Sequence, residues 1–112
     1  MGLHHKICHV LGGTFGLPHA LTHAAVLPYV VAFNAPEVPL AMERIAGALG
    51  AQDAAAGLAA LNRTLGLNST LGDLGLRAAD VNRSAALIVS SSYANPRPVN
   101  ESAVRALLLS AL

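Results

Sequence analysis

Apolar side chains recur at three- and four-residue spacing along most of this chain, and no stretch alternates with a period of two. That pattern predicts helices throughout. Residues 2–11 form a first helix, stopped by Gly12-Gly13, because paired glycines are costly inside a helix and easy beyond its end. Thr14–Leu17 is a turn. Pro18 suits the first position of a second helix, which runs towards Phe33 with a kink expected at Pro28. Asn34-Ala35-Pro36 is a break, and Glu37–Leu49 a third helix ended by Gly50. Asp53 is a good N-cap for a fourth helix, on which Leu58, Leu61 and Leu65 share a face before Gly66 stops it. Leu67–Leu76 is a loop or broken turn, and Ala78–Ser91 a fifth helix. Tyr93–Val99 is extended, because its two prolines keep the residues before them out of the helical region. Asn100 caps a last helix carrying Val104, Leu107, Leu108 and Ala111 on one stripe. The fold class is all-α.

Composition narrows the picture. At 112 residues the chain is one domain at most. It is 54% hydrophobic and 12% charged and has no tryptophan, so its core must be built from Ala, Leu and Val. A formal charge of +1 gives no basic footprint for nucleic acid. The single cysteine excludes an intrachain disulfide and fits a reducing, cytoplasmic setting. No charged residue lies between Lys6 and Glu37, but glycines, prolines, histidines and Asn34 interrupt that stretch. Its longest clean run, Ala24 to Phe33, is short of the ~20 residues a spanning helix needs. No membrane partner is expected.

Candidate chemistry is confined to one end. All five histidines (His4, His5, His9, His19 and His23) and the lone Cys8 lie in the first two helices. His5 and His9 are four apart and share a helix face. His19 follows a turn long enough to bring it back towards them. Two imidazoles from adjacent helices are half a metal site, since zinc takes at least three protein ligands. The competing reading is a set of surface or hydrogen-bonded core histidines. Cys8 reads as a small buried apolar residue. His4 is expected to point away from His5 in a supporting or structural role.

The stretch GLHHKICHVLGGTFGLPHALTHAAVLPYVVAFNAP resembles the metal-binding signature of the iron-containing (group III) alcohol dehydrogenase family, with its dehydroquinate synthase-like fold. The family pattern H-x3-H-x9-H followed by a small residue falls on His5, His9 and Pro18-His19-Ala20, with Leu27-Pro28 further along. The His4-His5 pair, the Gly12-Gly13-Thr14-Phe15 turn, Thr22-His23 and Asn95-Pro96-Arg97-Pro98 are similar to a reductase branch of that family. Leu21 departs from it, standing where that branch has an acidic residue.

The resemblance implies that residues 1–112 are the C-terminal part of a helical metal- and substrate-binding domain. The family's Asp and its first metal-ligand His, upstream in the same helical domain, are then missing, as is the dinucleotide-binding α/β domain that precedes it in the family. Carried over by position, His5 and His19 are metal ligands. His9 lies beside the nicotinamide and is the candidate for proton transfer. His23 is assigned to a small-molecule dicarboxylate substrate or to a structural role. The implied cofactors are NAD(P)H and a divalent metal, Fe²⁺ or Zn²⁺. The implied full-length enzyme is a homodimer, and the fragment alone is expected to be inactive. Two alternatives stand beside this reading: a family dehydrogenase acting on simple alcohols, and a free-standing helical metal-binding or interaction module.

Overall fold

The computed structural model describes residues 2–112. Six α-helices follow one another: α1 Leu3–Phe15, α2 His19–Asn34, α3 Pro39–Leu49, α4 Ala54–Thr64, α5 Val81–Ile88 and α6 Glu101–Ala111. Single 3₁₀ turns occur at Ala35–Glu37 and Ala78–Asp80, and there is no strand among the described residues. Helix α1 packs on α2 and α5, α2 on α4 and α6, α5 on α6, and α3 on α4. The core lies between α1, α2, α5 and α6 and is closed by Leu71 and Leu76 from the 67–76 loop. Leu3, Ile7 and Leu11 of α1, Val26 of α2, Ile88 of α5 and Val104 and Leu108 of α6 are fully buried there.

Several ends fall where polar side chains or glycines dictate. Asp53 Oδ2 accepts from Ala56 N at 2.8 Å, and Asn100 Oδ1 accepts from Ala103 N at 2.8 Å, so both expected N-caps form. Gly50 ends α3 in the left-handed region, with Ala51 N donating to Ala46 O at 2.9 Å and Gly50 N to Gly47 O at 3.2 Å. The Tyr93–Val99 segment is non-helical and is pinned by Asn95. The Asn95 amide pairs with that of Asn34 at 2.8 and 3.3 Å, and its Oδ1 accepts from Leu3 N at 3.4 Å. Arg97 completes the clamp by donating to Phe33 O at 3.1 Å, its guanidinium 4.3 Å from the Phe33 ring centre. The N-terminus of α1 and the C-terminus of α2 are thus held by one non-helical segment, which bends at Pro96-Arg97.

Other boundaries differ from the expectation. Helix α1 runs through Gly12-Gly13 to Phe15, because Gly16, at φ +71°, takes the terminating role instead. Gly16 N donates to Gly12 O and Leu17 N to Leu11 O, and burial of both Leu11 and Leu17 holds the extra turn on the core. Pro18 is the N-cap of α2 and not its first helical residue. The break at 34–36 is a 3₁₀ turn, which moves the start of α3 to Pro39. Helix α5 is shorter than the expected Ala78–Ser91, beginning at Val81 and ending at Ile88. The Leu58, Leu61 and Leu65 face does not enter the core: Leu61 is 41% and Leu65 61% exposed.

Pro28 sits inside α2, which continues past it. Proline has no N–H, so the carbonyl of Ala24, four residues earlier, loses its helical donor. Asn62 of α4 supplies one, its Nδ2 donating to Ala24 O at 2.8 Å. The same defect that weakens α2 therefore fastens α4 to it.

Candidate functional site

The histidines occupy two neighbouring stripes of α1 and the first turns of α2. His5 and His9 are exposed, one turn apart. His19 opens α2 and is exposed. His23, one turn on, is partly buried and stands at the centre of the group. Its ring centre lies 4.3 Å from that of His19, 4.9 Å from His4 and 5.9 Å from His5. The turn at residues 16–18 therefore does bring α2 back over the first turns of α1, and His5 and His19 flank the same imidazole. His9 lies near enough for its charge to act on His23.

His4 does not stand apart. Its ring meets that of His5 edge-on at 5.6 Å, and its Nε2 lies 3.0 Å from His23 Nδ1. With both rings neutral, one carries its proton on this shared edge and the other on its outer nitrogen. The outer atoms, His4 Nδ1 and His23 Nε2, are buried without a partner. Burial first, then the neighbouring His23 and His5, lowers the His4 pKa to about 4. Burial, then His19, His5 and His9, also lowers that of His23. Both rings are therefore neutral near pH 7. Cys8, one turn after His4, is 2% exposed, and burial pushes its thiol up to about 12, so it is no nucleophile as it stands. Its Sγ is 3.9 Å from His4 Nε2. The His4–Cys8 pair escaped the sequence reading, although its i, i+4 spacing on a neighbouring face of the helix was there to find.

The first two helices thus present a face of imidazoles, the kind of donor set that suits borderline divalent cations. The model of the Fe-containing alcohol dehydrogenase family, C-terminal, matches residues 1–112. The chain belongs to this family. The maleylacetate reductase of Sphingobium indicum is 50% identical over 108 residues, covering 96% of this chain and 31% of that protein. Maleylacetate reductase 1 of Rhodococcus opacus is 48% identical over 111 residues, covering 99% of this chain and 31% of that protein. The crystal structure of maleylacetate reductase from Rhizobium sp. strain MTP-10005 superposes with a TM-score of 0.93 at 42% identity, covering 99% of this chain and 31% of that one. The chain spans about a third of the length of these relatives.

The family's name implies a metal. His5 and His19 could supply two of its ligands, since both are exposed and both flank His23. No carboxylate joins a convergent donor group among the described residues. A complete site of three or four ligands would therefore draw its other groups from outside the chain.

Proposed function

We propose that this chain is the C-terminal helical part of a maleylacetate reductase, which uses NAD(P)H to reduce maleylacetate to 3-oxoadipate in the breakdown of aromatic compounds. The single observation that carries this reading is the exposed face of His5, His9 and His19 around His23, in a chain half identical to a protein of that name. In the whole enzyme a dinucleotide-binding domain would cover this face. The nicotinamide would then supply the hydride, and a divalent cation held by His5 and His19 would polarise the substrate oxygen. His9, on the exposed stripe one turn from His5, is assigned the proton transfer that accompanies reduction. His23, held by His4, is assigned to orienting a substrate carboxylate.

A chimera tests this reading. The chain is fused behind the N-terminal two thirds of the Sphingobium indicum reductase, and NADH oxidation is followed with maleylacetate and with small aldehydes. Turnover of maleylacetate far above that of the aldehydes is expected. His9→Ala should lower kcat by about 10²–10⁴-fold at unchanged helix content, the usual scale for a lost general acid or base. Full activity in that variant would remove His9 from the mechanism, and a preference for aldehydes would replace the substrate assignment.

A further inference from the structure

Beneath the exposed histidines lies a second set of donors. His4 and Cys8 occupy adjacent turns of one α1 stripe, and His23 of α2 faces them. One ligand atom from each lies within 4.8 Å of the other two. This is the one such convergent group among the described residues, and it contains neither His5 nor His19. We infer that His4, Cys8 and His23 form a zinc-binding site between α1 and α2, distinct from the exposed pair assigned to the family's metal.

The geometry is close to what the ion requires. Zinc binds imidazole nitrogen at about 2.0–2.1 Å and thiolate sulfur at about 2.3 Å, so a tetrahedral site holds two such nitrogens about 3.3 Å apart and a nitrogen and sulfur about 3.6 Å apart. Here His4 Nε2 and His23 Nδ1 are 3.0 Å apart, and His4 Nε2 and Cys8 Sγ 3.9 Å. These two separations change by only about 0.3 Å to admit the ion, and the third, between His23 and Cys8, is within 4.8 Å. On binding, the ring that carries its proton on the shared edge moves it to its outer nitrogen, so that both facing nitrogens offer lone pairs, and the thiol proton is lost to solvent, leaving sulfur as a bound thiolate. A thiolate with two imidazoles selects a borderline or soft cation over Mg²⁺ or Ca²⁺. Water takes the fourth position. The ion would lock together the two helices that carry His5, His9 and His19, so the site is structural support for that face.

Cobalt(II) titration of the full chain under reducing conditions tests the site, because a cobalt–thiolate bond gives a near-ultraviolet charge-transfer band that imidazoles alone cannot. A band saturating at one cobalt per chain, and displaced by zinc, is expected. Cys8→Ala should abolish it. His4→Ala and His23→Ala should each weaken cobalt binding by at least about tenfold, a scale that even groups outside the ligand set reach. His4→Gln and His23→Gln serve where alanine loosens the helix pair. The double variant His5→Ala/His19→Ala should keep the band in full. Absence of the band in the unmodified chain, its survival at full affinity in the His4 or His23 variants, or its loss in the double variant would each overturn the site.

Discussion

At the scale of the residue, the chemistry of this protein turns on which imidazoles are buried. His4 and His23 share one hydrogen bond while their outer nitrogens have none, so charging either ring is opposed by desolvation and by its neighbours. His4 faces His5 and His23 together with the neutral Cys8 thiol, and no carboxylate in this cluster offsets a charge on it. Its pKa is about 4 in the fold against an ordinary 6.5, so the unfolded chain binds the proton more tightly. Stability should therefore be full above pH 6.5, fall as the pH drops from 6.5 to about 4, and level off below that. The contribution of this half-buried ring is about 1–2 kcal/mol after allowance for solvent screening. Urea unfolding of the chain and of His4→Gln across that pH range, with a chelator present so that no metal occupies His4, measures it. Equal pH slopes in the two would show that His4 carries no such load. The site residues were unequally legible: the H-x3-H-x9-H spacing points to His5, His9 and His19 without a structure. The partnership of His4 with Cys8 and His23 needed the crossing of α1 and α2, because residues nineteen apart meet only through tertiary packing.

At the scale of the element, glycine and proline decide more than propensity does. Gly13 lies inside α1 with nothing within 4 Å of where a Cβ would stand. Gly13→Ala should accordingly raise stability by about 0.5–1 kcal/mol, whereas Gly16→Ala, at φ +71°, should lower it by about 1–2 kcal/mol. Thermal melts of the two variants shifting in the same direction would refute the placement of the α1 end. The Pro28 defect makes a sharper test. Asn62→Ala strands the Ala24 carbonyl and should cost about 1–2 kcal/mol. With Pro28→Ala in the background, residue 28 regains an N–H for that carbonyl and the cost of losing Asn62 should shrink. A double-mutant cycle should report a coupling of at least about 0.5 kcal/mol. Additive effects would mean that Asn62 binds α4 to α2 for some other reason.

At the scale of the whole molecule, identical leucines have unlike fates. Leu108 of α6 is fully buried in the core, while Leu65 at the end of α4 is 61% exposed. Leu108→Ala should cost about 2–5 kcal/mol by loss of burial and creation of a cavity, and Leu65→Ala should stay within about 0.5 kcal/mol. Denaturant titration measures both, and similar losses at the two sites would contradict the core as drawn. Helices α3 and α4 form an outer pair that buries little beyond Ala46 and Ala54 and presents Leu40, Leu61 and Leu65 to solvent. Gly57 permits their close approach, since a Cβ there would stand 3.1 Å from Leu49 Cδ1 of α3 and 2.8 Å from the Cβ of Ala51 in the connecting turn. No helix among the described residues is long and apolar enough to cross a membrane.

By itself the sequence determined what depends on local chemistry: an all-helical chain, the Asp53 and Asn100 caps, the Gly50 stop, the absence of helix over Tyr93–Val99 and the histidine spacing that resembles the family signature. Each follows from interactions within about one turn, or from a backbone restriction carried by a single residue. The tertiary structure decided which stripe faces inwards, where α1 ends, and which imidazoles share a proton. Gly12-Gly13 stays helical because Leu11 and Leu17 gain burial by it, and the α4 leucines stay outside because α1, α2, α5 and α6 already close the core. Those outcomes depend on contacts between residues far apart in the chain, which periodicity and propensity do not encode.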